Sequence, residues 1–481
     1  MKLYTVKSEG LSHNSYMLFD GEDAAVVDPR RDCQIYMHLA RKNCAKICYI
    51  FETHRNEDYV VGSRELQSLS NAQICHSNAL PFKYGEHSLQ DGETLNVGSL
   101  KIKAISTPGH TDESLCYAVS DIQKSAEPLT LFTGDTLFIG SVGRTDLQGK
   151  PQQSKQAEKL FGSLHQKVLL LGEDVVVYPA HGSGSVCGSG IGEQPFSTLG
   201  YEKKTNPYLK LEKEAFVQHC LGQELIVPAY FAKMETYNLS GAPQLRGLPI
   251  PKPLSVAEFE TAIAETDSVV VDTRQPNSFA GSHVSNSLSI WLGGGTAVYP
   301  GWIIGYDQRI LFIVERKADV ARVSRHFWRL GFDNVYGFLC KGVGEWQEQG
   351  KPISHIKTIS AAELHANLHR YLVLDVREPS EWHEEGIIQD AQTVFFADLP
   401  QKVALLSRNK RYAIICSVGK RSSIAASMLK RKDFEVTNVL GGMKAWQKLG
   451  YPTVNVNENQ TLRSDLEDNL GSHKVCRLDK I

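Results

Sequence analysis

Four residues in the first half of the chain have the types and setting of metal ligands. His54, His110, Asp135 and His181 each follow a short apolar run: residues 47–51, 102–105, 129–132 and 175–178. Imidazole nitrogen and carboxylate oxygen are donors expected for zinc or iron. One histidine after a strand is usually a hydrogen-bonded loop residue. Four such residues in this order are what strands of a sheet deliver to one shared edge.

Near the other end stands a candidate nucleophile, Cys416. The apolar run Tyr412-Ala413-Ile414-Ile415 leads into Cys416-Ser417-Val418-Gly419-Lys420-Arg421-Ser422, and a helical pattern follows to Lys430. A thiol in a loop that opens a helix sits among inward-pointing backbone N–H groups. That nest favours anions, so it stabilises a thiolate and holds a transferred sulfur or an oxyanion. Lys420 and Arg421 add positive charge. A phosphatase also pairs Cys with Arg in such a loop, but with one more residue between them to fit a tetrahedral phosphate. Here only four residues separate Cys416 from Arg421, which favours sulfur over phosphate; arsenate reduction is not excluded by spacing.

The elements that must position these groups fall into three blocks. Residues 241–255 carry Pro243, Pro249, Pro251 and Pro253 and read as a stiff linker. A weaker break lies at Gly350-Lys351-Pro352. The two segments beyond the linker resemble each other. Val269-Val270-Val271-Asp272-Thr273-Arg274 matches Leu372-Val373-Leu374-Asp375-Val376-Arg377, and residues 342–346 match 441–446 around Trp346 and Trp446. Apolar runs alternating with helical patterns predict two small α/β domains with mostly parallel sheets. The expected division is 1–245, 246–352 and 353–455, with a polar C-terminal tail at 456–481.

In the first block THRNEDY, TPGHT, TGDTLF and YPAHG resemble the successive metal motifs of the metallo-β-lactamase fold, which implies an αββα sandwich. That family's first motif is usually His-x-His-x-Asp-His. Here it is His54-Arg55-Asn56-Glu57-Asp58-Tyr59, so Asn56 and Tyr59 replace two imidazoles. An amide or a neutral phenol is a poor zinc ligand. The surviving His54, His110 and Asp135 make a facial triad of the kind that holds iron(II) with open positions.

The persulfide dioxygenases of this superfamily are similar in using that reduced set. The resemblance implies one iron(II) per chain on His54, His110 and Asp135, with zinc as the alternative metal. It implies oxidation of a thiol persulfide by oxygen to sulfite, with a glutathione-like or other low-molecular-weight thiol released. Asp58, Tyr59, Thr111 and His181 are expected around the ligands. Gly143-Arg144-Thr145-Asp146 resembles a family loop in which Arg144 anchors the thiol's carboxylate, and a purely structural arginine is an equal reading. Two other readings stand beside this one: a zinc-dependent, glyoxalase II-like thioester hydrolase, and a metal-free sulfur carrier.

Residues 358–452 resemble the rhodanese sulfurtransferase domain through LDVREPSEW, CSVGKRS and GGMKAW. The resemblance implies that Cys416 carries sulfane sulfur as a persulfide, with Asp375 and Arg377 supporting its loop. Residues 254–350 resemble the same family, but Val314 takes the thiol's place and Glu315-Arg316-Lys317-Ala318-Asp319 the loop's. All three blocks together, with GYEKKTNPYL at 200–209, resemble the fused persulfide dioxygenase–rhodanese proteins of bacterial sulfide detoxification. Thiosulfate, formed from sulfite and the transferred sulfur, is the product expected of the coupled reactions.

Composition sets the outer bounds. Of 481 residues, 52 are Lys or Arg and 54 are Asp or Glu. A net charge of −2 argues against a nucleic-acid or membrane-coating role. Ten scattered cysteines without a Cys-x-x-Cys make neither a disulfide scaffold nor a zinc knuckle. The N-terminus lacks an apolar signal region and no long apolar run occurs, so a cytoplasmic protein is expected. A homo-oligomer is compatible with the sequence. Cys187, in the glycine-rich run 182–192, reads either as a second sulfur relay or as an inert loop cysteine.

Overall fold

The computed structural model describes residues 1–223 and 225–456. The expected polar tail therefore lies, from residue 457 onward, outside the described residues. The chain forms two compact units. One comprises Met1–Ile250 with Gly293–Trp302 and Ala321–Asp333; the other comprises Pro251–Leu292, Ile303–Val320 and, among the described residues, 334–456.

The first unit is built on two six-stranded sheets. One runs Lys2–Ser8, His13–Asp20, Asp23–Val27, Lys46–Phe51, Gln73–Ser77 and His87–Leu89, in that spatial order. The other runs Ser197–Thr198, Val176–Pro179, Thr130–Gly134, Leu115–Asp121, Leu100–Ser106 and Thr94–Val97. The two-residue period of a strand sends alternate side chains to opposite faces. Tyr16, Leu18, Ala25 and Val27 meet Ile102, Ala104, Tyr117 and Phe132 between the sheets. Their neighbours Met17, Phe19, Ala24 and Val26 face outward, onto a layer containing Tyr36, Ala40 and Leu66. These belong to the helices Gln34–Lys42 and Ser63–Ser70. On the far side Ile105, Cys116, Ala118 and Leu131 pack under the helices Lys150–Gln166 and Lys213–Leu221. The result is the helix–sheet–sheet–helix sandwich expected from the sequence.

A helix from beyond the linker completes this unit. Within residues 321–333 the Arg329 guanidinium forms two hydrogen bonds of 2.8 and 2.9 Å to Asp32, and both residues are buried. Arg31 donates to the Trp328 carbonyl at 3.0 Å and to Asp333. Such buried, hydrogen-bonded ion pairs add little net stability, and removing one partner is costly, so they act chiefly to fix where the helix docks.

The second unit holds two five-stranded parallel sheets with one topology. In the first copy the order is Lys252–Leu254, Val335–Leu339, Arg309–Ile313, Ser268–Asp272 and Leu288–Ser289. In the second it is Lys357–Ser360, Glu435–Leu440, Arg411–Ile415, Leu372–Asp375 and Gln392–Thr393. Equivalent turns repeat as well: the Trp346 indole donates to the Pro352 carbonyl at 2.9 Å, and that of Trp446 to Pro452 at 3.0 Å. Among the described residues no helix is long and apolar enough to cross a membrane.

Candidate metal centre and thiol loop

The four strand ends converge at one edge of the sandwich. His54, Glu57, His110 and Asp135 are all buried, and each offers a ligand atom within 4.8 Å of the others. The Nε2 atoms of His54 and His110 lie 3.8 and 3.6 Å from Asp135 Oδ2. Both imidazoles are fixed from behind. His110 Nδ1 lies 2.9 Å from the Arg144 carbonyl and so carries the proton that it donates, which leaves Nε2 turned into the cluster as a lone pair in the neutral ring. His54 Nδ1 is held at 2.9 Å by Thr53 Oγ1, which in turn donates to Asp28 at 2.8 Å. Gly143 permits the close approach of the Arg144 loop: a Cβ there would lie 1.9 Å from the Asp135 carbonyl oxygen and 3.1 Å from His110 Cβ.

The inner ends of this cluster are poorly satisfied. His54 Nε2, His110 Nε2 and both Glu57 carboxylate oxygens are buried without a well-formed hydrogen bond. Unsatisfied buried groups of this kind are expensive. Two imidazole lone pairs and carboxylate oxygens around one point are the donor set for a divalent cation, so these residues fit a metal. The protonation pattern is consistent: burial opposes a charge on His110, but Glu57 and then Asp135 raise its pKa to about 9. Glu57 and Asp135 are displaced downward despite burial, chiefly by His110 and His181 respectively. A cation would take the place of that proton.

His181 stands beside the cluster with both nitrogens engaged. Nδ1 is 2.8 Å from Asp135 Oδ1 and Nε2 is 3.0 Å from Asp58 Oδ2. Burial lowers its pKa, but the carboxylates of Asp135 and Asp58 outweigh that and hold it well above the usual histidine value. It therefore orients Asp135. Tyr59 is buried, with its ring 4.0 Å from that of His13. Burial pushes its phenol well up, so it is neutral. Thr111 is occupied with Ser114, its Oγ1 2.7 Å from Ser114 Oγ, and braces the turn after His110.

Arg144 is fully engaged inside the protein. It makes a two-pronged contact with Asp146, both bonds 2.7 Å, and donates to the carbonyls of Val186 and Ile226 at 3.1 and 3.2 Å. In this arrangement it ties loops together. Cys187 is enclosed with Phe138 and Ile191, and burial pushes its thiol well up.

Glu57 and Asn238 are two residues of this site that the sequence reading passed over. Glu57 is one residue from an imidazole lost to Asn56, and its acidity was the available signal. Asn238, on the helix Phe231–Ser240, takes hold of the metal loop at three points. Its Nδ2 donates to the carbonyls of Asn56 and Tyr59 at 2.6 and 2.7 Å, and its Oδ1 accepts from Val61 N at 3.0 Å. The docked helix adds a fourth hold, Val60 N to the Arg329 carbonyl at 2.8 Å. Neither could be placed without the fold.

In the second unit Cys416 follows the strand Arg411–Ile415 and is buried. The Gly419 N–H donates to its sulfur at 3.2 Å, and the thiol reaches Ser422 Oγ at 3.4 Å. Ser422 donates to Asn438 Oδ1 at 2.6 Å, and Asn438 Nδ2 returns to the Gly419 carbonyl at 3.2 Å. Arg421 does not point freely at the sulfur. It grips Glu381 with bonds of 2.6 and 2.7 Å, and Glu381 also accepts from Ser417 at 2.6 Å. Burial pushes the Glu381 carboxyl up, yet Arg421 and Ser417 bring it down to about 2. Val418 lies exposed on the outer lip, and Lys420 stands 5.5 Å above the Trp291 ring. Arg377 clasps Asp375, with Nη2 to Oδ2 at 2.7 Å, and closes the base of the loop by donating to the Gly386 carbonyl at 2.6 Å.

The metallo-beta-lactamase superfamily model matches residues 9–181, and the rhodanese-like domain model matches twice, at 255–349 and 360–449. The mitochondrial persulfide dioxygenase ETHE1 of Bos taurus is 29% identical over 211 residues, covering 42% of this chain and 74% of the relative. A hydroxyacylglutathione hydrolase of Dictyostelium discoideum is 29% identical over 170 residues, 35% of this chain and 61% of its own. A solved metallo-beta-lactamase of Staphylococcus aureus subsp. aureus COL superposes with a TM-score of 0.63 at 27% identity, covering 70% of this chain and 98% of that one. The chain thus carries a metallo-beta-lactamase superfamily domain followed by two rhodanese-like domains.

Proposed function

We propose that the chain oxidises a low-molecular-weight thiol persulfide to sulfite at an iron(II) held by His54, His110 and Asp135, and moves sulfane sulfur through Cys416. The observation that carries the reading is the paired lone-pair nitrogens of His54 and His110 aimed, with Asp135, at one buried point. Asn56 and Tyr59 each stand where the resemblance puts an imidazole, one at each metal of a two-zinc site, which disfavours a two-zinc hydrolase. When bound, iron supplies the one-electron chemistry by which dioxygen reacts with a persulfide. The protein's own part is orientation: Arg144 and Thr53 fix the two imidazoles, and His181 fixes Asp135.

The reactions balance as persulfide, oxygen and water giving thiol, sulfite and two protons. A second persulfide then passes its outer sulfur to the Cys416 thiolate and leaves as thiol. Sulfite attacks that outer sulfur, releasing the Cys416 thiolate and thiosulfate. Having both steps on one chain raises the effective concentration of sulfite at the thiol. In this reading residues 1–245 oxidise, 353–455 transfer, and 246–352 serve as a non-catalytic copy.

The test is oxygen uptake by iron-loaded protein given glutathione persulfide. One oxygen consumed per sulfite formed, abolished in His110→Ala, is the expected result. Zinc-dependent thioester cleavage without oxygen uptake would instead establish the hydrolase.

A further inference from the structure

The motif loop has lost two imidazoles and holds two carboxylates, Glu57 and Asp58, between those two positions. Glu57 lies one residue after Asn56, is 1% exposed, and leaves both oxygens without a well-formed hydrogen bond. Oε1 is 3.1 Å from His110 Nε2 and Oε2 is 3.7 Å from His54 Nε2. The neighbouring cation, Arg55, turns elsewhere, to Glu235 at 3.3 Å. A carboxylate buried this deeply is costly unless a charge partner meets it.

The distances among the four groups identify the partner. Atoms about 2.1 Å from one cation lie about 3.0 Å apart at adjacent octahedral corners and about 3.4 Å apart in a tetrahedron. The N–O separations are 3.1 Å from His110 to Glu57 Oε1, 3.7 Å from His54 to Glu57 Oε2, and 3.6 and 3.8 Å from His110 and His54 to Asp135 Oδ2, and one ligand atom from each of the four residues lies within 4.8 Å of the others. The separations of 3.6–3.8 Å exceed the tetrahedral edge by about 0.2–0.4 Å and the octahedral edge by about 0.6–0.8 Å, so the groups close in on a bound cation.

We propose that Glu57 is a fourth protein ligand, so that the centre holds its metal through two histidines and two carboxylates. The inference rests on the metal-binding reading of this domain and adds to it. Two carboxylates neutralise a divalent cation without an exogenous anion. On a six-coordinate metal four protein ligands leave two open positions, where a three-residue triad leaves three. The oxygen-rich set also moves preference away from tetrahedral zinc, toward hard divalent metals that accept higher coordination.

The experiment measures metal binding alone, on the full chain. Wild type, Glu57→Gln and Glu57→Asp are titrated anaerobically with Fe(II) against a chromophoric chelator, and with Co(II) as an absorption probe. Glu57→Gln keeps the shape and removes the charge, so folding is least disturbed; circular dichroism checks it. The expected outcome is a loss of affinity of about 100-fold or more in Glu57→Gln, with partial recovery in Glu57→Asp. The Co(II) ligand-field bands should shift in Glu57→Gln. An affinity within about threefold of wild type and an unchanged Co(II) spectrum would overturn the fourth ligand while leaving the triad standing. A wild-type chain that takes up neither metal would overturn the metal reading itself, and Glu57's role with it.

Discussion

The two rhodanese-like copies share a scaffold and differ in one loop. Asp272 pairs with Ile313 across parallel strands, and Asp375 pairs with Ile415 in the same register. Each aspartate is clasped by an arginine two residues on, Arg274 or Arg377, through bonds down to 2.7 Å. The next residue is Val314 in one copy and Cys416 in the other. Beyond it the first copy runs into the short turn Lys317–Asp319, with an ion pair from the exposed Arg316 to the buried Asp319. The second wraps around the sulfur and is tied by Ser422 and Asn438. Strand register equates Asn438 with Phe338, since Ile414 pairs with Asn438 and Phe312 with Phe338. The chemistry has therefore been removed at the thiol and at its buttress together, while the sheet remains.

The sharpest way to test that contrast is to remove the thiol. Cys416→Ser should abolish transfer of sulfane sulfur to cyanide or sulfite, a loss of about a thousandfold or more. Oxygen uptake with persulfide should persist in the same variant, with sulfite accumulating instead of thiosulfate. Adding Val314→Cys should restore nothing, because the first copy has neither the Gly419 N–H nor the Asn438 amide to hold a loop around a sulfur. Recovery of transfer by Val314→Cys would show that the copies differ only at one side chain.

A second perturbation acts on the backbone behind the thiol. Gly442 has φ +55, and a Cβ there would lie 2.0 Å from the Cys416 carbonyl oxygen, which already accepts from Met443 N at 2.8 Å. Gly442→Ala should cost about 2–3 kcal/mol in urea unfolding of the second unit, from strain and overpacking. Gly342 occupies the matching place with φ +71 and nothing within 4 Å of a Cβ. Gly342→Ala should cost only about 1 kcal/mol, from its backbone angle alone. Equal costs would mean that the tight packing behind Cys416 is not particular to the second copy.

The same comparison explains what could be read without coordinates. The repeated strand and Trp segments were visible because their periodicity and spacing recur. The strand ends carrying His54, His110, Asp135 and His181 were visible because each combines an apolar run with a ligand-type residue. Partners from distant segments were not. Asn238 holds residues 56–61 from about 180 positions away, and Arg329 reaches Asp32 across 297. Glu381 is close in sequence to Asp375 and Arg377, yet nothing in a Pro-Ser-Glu-Trp helix start distinguishes a loop anchor from a surface acid. Arg421 and Arg144 were legible as cations, but not their partners: both are spent on carboxylates, Glu381 and Asp146.

Glu381 yields a smaller effect with a defined pH dependence. Its carboxyl is held at about 2 in the folded chain, against an ordinary value of 4.5. A depressed folded value contributes stability above the unfolded pKa, and that stability is lost as the pH falls from about 4.5 toward 2. With 20% of the side chain exposed, screening reduces the contribution to roughly 1–2 kcal/mol. Urea midpoints measured at pH 6 and pH 3 should therefore fall further for wild type than for Glu381→Gln. In the assay, Glu381→Gln should lower sulfur transfer about tenfold by freeing Ser417 and Arg421. An identical pH response in the two proteins would mean that the ion pair does not stiffen the loop.

The first copy supplies the counterpart with the least expected effect. Arg316 and Asp319 also form an ion pair, 2.8 Å long, in the segment that replaces the thiol loop. The Arg316 side chain is 74% exposed, where that of Arg421 is 14% exposed. An ion pair whose cation stands in water gains little Coulomb energy and loses side-chain entropy when it forms. Nor does it brace a reacting group, since Val314 offers none. Arg316→Ala should leave the urea midpoint close to wild type and both sulfur transfer and oxygen uptake unchanged. A larger loss of transfer would show that the first copy's loop bears on Cys416 after all, and would make that copy a working part of the sulfur-transfer unit.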